Sequence, residues 1–111
     1  MMNPDREEIG RRIEDALRLV IDPELGCNIV DLGLVYVIGV KDGGDTRILM
    51  TTTTRGCPAT SFLTEGAQQA AVAVPGVTSA EVSLTYEPAW TPDMMRAPAR
   101  KQLGFGSDAG R

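Results

Sequence analysis

Residues 32–40, Leu-Gly-Leu-Val-Tyr-Val-Ile-Gly-Val, form a run of β-branched and aromatic side chains that favours extended backbone. Lys41-Asp42-Gly43-Gly44-Asp45 follows, a cluster that tolerates positive φ and supplies a reversal. Thr46 to Thr54 resumes the extended pattern, so the two runs read as a β-hairpin. The flanking segments have another period. Within residues 3–21, Ile9, Ile13, Ala16, Leu17 and Val20 recur at three- and four-residue steps, the stripe of an amphipathic helix. Asn3 and Pro4 supply a cap and a first helical residue, and Glu7 and Glu8 complement the positive end of the helix dipole. The helix must stop before Asp22-Pro23, because proline pushes the preceding residue out of the helical region.

A second stripe, Phe62, Leu63, Ala67, Ala70, Ala71 and Val74, predicts a helix over Ala59 to Val74 that Pro75-Gly76 terminates. From Val77 onward, Val82, Leu84 and Tyr86 alternate with Glu81, Ser83, Thr85 and Glu87, a strand with one wet face. A short helix follows near Pro98 to Leu103, with Gly104 as its stop. The order α-β-β-α-β with this C-terminal helix predicts an α+β two-layer domain on a small mixed sheet. The last two strands would lie parallel across a right-handed crossover. At 111 residues two cores would each be marginal, so residues 1–105 read as one domain and 106–111 as a flexible tail.

Composition narrows the chemistry. The chain has no histidine, which excludes Ser-His and Cys-His nucleophile pairs and His-ligated metals. Lys plus Arg number 11 against 15 Asp plus Glu, a net charge of −4, the wrong sign for a nucleic-acid binder. No apolar run approaches the ~18–20 residues that span a bilayer, and the first residues lack the pattern of a signal peptide. Two cysteines are too few for a disulfide scaffold, so a reducing cytoplasm is the expected compartment.

Cys57 is the leading candidate. With Pro58 at the first position of the second helix, Cys57 falls at the N-cap, where free N–H groups and the helix dipole favour the thiolate. Arg55 adds a nearby cation, and the competing reading is a small buried apolar residue. Asp22-Pro23-Glu24 reads either as helix-start punctuation or as two carboxylates near the thiol. Thr51 and Thr53 would share one side of the strand leading to Cys57 and could line a pocket beside it, although threonine is also simply a good strand former. Cys27 reads as an ordinary buried thiol. Trp90, between Pro88 and Pro92, reads as a lid on the core or, with Met94 and Met95, as an apolar surface for a partner.

Seven segments in order complete the pattern: Asp22-Pro-Glu-Leu25, Asn28-Ile-Val-Asp-Leu-Gly-Leu-Val-Tyr36, Met50-Thr51 with Thr53, Gly56-Cys57-Pro58, Pro75-Gly-Val77, Pro88-Ala-Trp-Thr-Pro-Asp-Met-Met95 and Leu103-Gly104. Together they resemble the iron-sulfur cluster assembly domain family, which includes SufT-type maturation factors and the PaaD component of phenylacetate degradation. The resemblance implies an α+β fold and a role in delivering iron-sulfur clusters to recipient proteins. Cys57 would be the key thiol and metal ligand, with Asp22, Glu24, Thr51 and Thr53 lining the site. Cys27, Arg55 and Pro98 depart from the family pattern: Cys27 offers a second ligand as an alternative to its role as an ordinary buried or half-buried thiol, and Pro98 is expected to interrupt the final helix.

The resulting expectation is a non-enzymatic maturation factor that holds a cluster transiently through Cys57, its partners being scaffold or recipient proteins. A cluster takes about four protein ligands. One chain offers at most two thiols, so a bound cluster requires a homodimer or thiols from outside, and isolated protein could carry no cluster. The rival readings are a PaaD-like adaptor for an oxygenase complex and a thiol enzyme. The enzyme would have only Asp22, Glu24 or a lysine as base.

Overall fold

A computed structural model of the chain describes residues 5–53 and 59–104, and the expected tail, 106–111, lies outside them. The first helix, α1, runs Arg6–Leu17. Its N-cap is Asp5 rather than Asn3, and the Asp5 carboxylate accepts from the Glu8 N–H at 2.8 Å. Ile9, Ile13 and Leu17 form its buried stripe, and full burial of each contributes about 1.5–3 kcal/mol. The opposite face is laced by Glu8 to Arg11 and Arg12. The helix ends four residues before the predicted limit because the chain turns back on itself. Ile21 bridges antiparallel to Asn28, and the Asp22 N–H donates to Cys27 O at 2.9 Å.

Strand β1 spans Val35–Val40 and β2 spans Asp45–Met50, antiparallel, joined through the tight turn at Asp42–Gly44. Leu32 and Leu34, predicted to open the strand, are instead fully buried in the preceding turns. The register pairs Ile38 with Ile48 but slips between Val35 and Val37, leaving Tyr36 as an extra residue in a bulge. Helix α2, Thr60–Val72, then carries the chain to β3, Ser79–Leu84, which lies parallel to β2. The sheet order is β1-β2-β3, the small mixed sheet expected from the sequence.

The sheet has one dry and one wet face. Thr46, Ile48 and Met50 are buried beneath the helices, facing Leu63, Ala67 and Ala71 of α2. On the other face Ser79 donates to Asp45 at 2.6 Å and Arg47 pairs with Glu81 at 3.3 Å, opposite one another in the register. This is the alternation predicted for β3.

The segment after β3 closes one end of the sheet. Trp90 is half-buried and donates from its indole to Leu32 O at 2.7 Å, the folded-back lid rather than a free apolar surface. Met95 is buried, and the Arg96 N–H reaches Asp31 O at 2.7 Å. Helix α3, Ala97–Leu103, has Pro98 in its first turn, so the proline starts this helix instead of interrupting it. Gly104 caps it in the left-handed region, the stop expected from the sequence.

Gly33 makes this closure possible. Its φ is +81°, and a Cβ there would lie 2.3 Å from Met94 O. Gly33→Ala therefore combines left-handed strain with a backbone collision, and we expect a loss of about 1–3 kcal/mol in urea unfolding. Unchanged stability would show that the 92–94 segment moves away without cost.

Candidate functional site

The carboxyl ends of the parallel pair β2 and β3 meet the start of β1 at one end of the molecule. The Thr51 N–H donates to Leu34 O at 2.8 Å, and the Thr85 N–H donates to Met50 O at 2.9 Å. These bonds carry the pairing one residue past the strand ends, and β2 itself ends at Met50. The alternation expected for Thr51 and Thr53 is corrected accordingly. Thr51 and Thr52 are both buried, and Thr53 is half-buried.

Two tyrosines that sequence reasoning did not select line this end. The bulge turns Tyr36 so that its phenol donates to Pro88 O at 2.8 Å, with Met94 Sδ at 3.5 Å. Burial pushes the Tyr36 phenol above its ordinary value, and the neighbouring Thr51 hydroxyl partly offsets that rise. It therefore stays protonated and serves as a donor. Tyr86 shares a hydrogen bond of 2.9 Å with the Thr52 hydroxyl. Tyr86 had a sequence signal in its place on the alternating pattern, whereas the bulge that aims Tyr36 had none.

Asp22 and Glu24 sit in the connection between α1 and β1, which is a turn and not the start of a helix. Asp22 is 2% exposed, and its Oδ1 accepts from the N–H groups of Glu24 at 2.7 Å and Leu25 at 3.3 Å. Its local role is punctuation. Glu24 is exposed. Among the described residues no hydrogen bond joins Asp22 to Thr51 or Thr53.

Cys27 is 3% exposed and belongs to the hydrophobic core. Burial pushes its thiol up, and the charges of Asp31 and then Asp22 push the same way. It is a protonated core thiol at neutral pH. Cys57 lies outside the described residues, as do Thr54, Arg55, Gly56 and Pro58. The N-cap of α2 is Ala59, so the capping position expected for Cys57 falls two residues later in the chain. The hydroxyl of Thr60, the first residue of α2, is buried and has no hydrogen-bond partner among the described residues. Among the described residues no group of three or more Cys, Asp or Glu side chains is placed to hold a metal ion.

Comparison with known proteins gives a consistent picture. Residues 11–84 match the family described as "Iron-sulfur cluster assembly protein". A Porphyromonas gingivalis protein named Fe-S protein maturation auxiliary factor is 38% identical over 94% of this chain and 99% of its own. The Bacillus subtilis factor YitW, named likewise, is 40% identical over 89% of this chain and 97% of its own. A Mycobacterium tuberculosis protein named Iron-sulfur cluster carrier protein is 36% identical over 86% of this chain, which spans 24% of that protein's length. A solved domain of unknown function from Bacillus anthracis superposes with a TM-score of 0.86 at 33% identity, covering 91% of this chain and 96% of that one.

Two measurements check this geometry. Because the folded Cys27 thiol is raised, stability linked to it is full below the unfolded thiol value of about 8.5 and declines as pH rises through the folded value. Cys27→Ala should flatten that alkaline decline in a pH series of urea midpoints, and an unchanged slope would contradict the assignment. Asp22→Ala should lower stability by about 1–2 kcal/mol by removing the acceptor of two turn amides, and a neutral result would mean that water replaces it freely.

Proposed function

The chain belongs to the iron-sulfur cluster assembly protein family, and from that premise we propose that it is a maturation factor handing clusters to recipient proteins through Cys57. The observation that carries this reading is the placement of Cys27. The sequence holds two cysteines, and the core takes one of them as a protonated thiol. Cys57 is thereby left as the thiol for cargo.

A cluster needs about four ligands, so one thiol per chain leaves the remaining iron positions to donor, recipient or a second subunit. Such a cargo is loosely held. Transfer is then ligand exchange without redox change: an iron-to-Cys57 bond breaks as an iron-to-recipient thiolate bond forms, and the proton leaving the recipient thiol is taken up by the freed Cys57 thiolate. Thr51, Thr53, Asp22 and Glu24 are proposed to shape the surroundings of that exchange. The Thr60 hydroxyl, without a partner among the described residues, offers a further donor near it in sequence.

The relatives are named auxiliary factors and carriers, and the absence of histidine removes the usual base of a thiol enzyme, so this reading is of a carrier acting in the cytoplasm. No helix among the described residues is long and apolar enough to cross a membrane. Residues 1–105 are taken as the working unit.

Anaerobic reconstitution with iron and sulfide tests the proposal. Wild type and Cys27→Ser should develop visible charge-transfer bands, and Cys57→Ser should not. Equal spectra from wild type and Cys57→Ser would remove the thiol from the mechanism.

A further inference from the structure

The sheet has two edges, and only one is guarded. Edge strand β3 carries Glu81 between Ser79 and Ser83 on the wet face, a charge that discourages strand addition. Edge strand β1, Val-Tyr-Val-Ile-Gly-Val, has no charged residue, and Val37 is 53% exposed on the wet face. Among the described residues, no other element hydrogen-bonds to the backbone of β1 beyond its ladder with β2.

Beside that edge lies an open groove of about 560 Å³ between α1 and β1, floored by Ile38 and Val40. Gly10 leaves its α1 wall open, since a Cβ added there would meet nothing within 4 Å. Arg6, Arg11, Glu7 and Glu14 form the rim, two cations and two anions. A partner of a single charge sign would meet as much repulsion as attraction there. Arg6, Arg11 and Glu14 make exposed pairs with Asp42, Glu8 and Arg96 of their own chain, and a copy of the same rim, turned about a two-fold axis, can exchange such pairs for guanidinium–carboxylate pairs between the copies on both sides.

We propose that β1 pairs antiparallel with β1 of a second copy of this chain, joining two three-stranded sheets edge to edge. The inward side chains of each β1 then cover the other's groove, and the two α1 helices lie side by side. With the axis near Ile38, the two Val35 residues stand on the order of 20 Å apart at ~3.3 Å per residue. Each copy keeps its own cargo end. The dimer does not depend on Cys57, so its failure and the failure of the cluster-transfer reading are separable.

Sedimentation equilibrium on the whole chain tests this. Wild type and Cys57→Ser should both show twice the 11.9 kDa chain mass at high micromolar concentration. Val37→Lys should fall to the single-chain mass with its circular dichroism unchanged. Gly39→Glu is the second variant: its Cβ would meet only Arg47 O at 3.8 Å, and its carboxylate faces Arg47 across the strand, so the single chain keeps its fold. It should also fall to the single-chain mass, while Val72→Lys, on an exposed site of α2, should stay dimeric. A monomeric wild type, or a dimer that survives both edge variants, overturns the proposal. So does a monomer whose β1 amides gain exchange protection only when a recipient protein is added.

Discussion

Parallel pairing of β2 with β3 is the constraint from which the other features follow. Parallel neighbours cannot be joined by a tight turn, so the chain must leave the end of β2, cross over and return. Helix α2 makes that crossing and buries Leu63, Ala67 and Ala71 against the dry face as it does so. The connection between Met50 and Thr60 therefore departs from the carboxyl end of the parallel strands, where open sheets of this kind commonly take their ligands. The sequence motif holding Cys57 belongs to that connection.

Around the same end, polar side chains tie distant segments of the chain together. Tyr36 donates to Pro88 O, Tyr86 shares a hydrogen bond with Thr52, and Trp90 donates to Leu32 O. Each bond joins residues distant in sequence, so the segment after β3 and the strand ends hold one another in place. Gly33 permits the closest of these approaches. The proposed carrier role calls for a firm base beneath the connection that leaves β2, and a sheet end tied by side chains provides one. Cys27, by contrast, is kept protonated in the core.

Much of this architecture was legible in residue patterns. The stripe Ile9, Ile13, Leu17, the hairpin around Gly43-Gly44 and the alternation in β3 each express a periodicity that burial then obeys. The errors lie where two local signals compete. Asn3-Pro4 and Asp5 both offer a cap, and the spacing of Asp5 to Glu8, the first half of a capping box, was the better signal. Asp22-Pro23 looks like a helix start, yet the pairing of Ile21 with Asn28 pulls it into a turn. Four threonines look like continuing strand, but β2 ends at Met50 and the consecutive burial of Thr51 and Thr52 breaks the alternation. A bulge at Tyr36 depends on cross-strand register, which no single segment encodes. Of the candidate site, Thr51, Thr53, Asp22 and Glu24 have described positions, while Cys57 rests on the family and on the exclusion of Cys27.

The central claim is that cargo leaves this protein by way of one sulfur atom. The most direct measurement loads wild type, Cys27→Ser and Cys57→Ser under the same anaerobic conditions, mixes each with an apo-ferredoxin and follows holo-ferredoxin by its circular dichroism. Transfer is expected from wild type and from Cys27→Ser at comparable rates, and none above the protein-free iron and sulfide background from Cys57→Ser. Transfer from Cys57→Ser at the wild-type rate would contradict the claim.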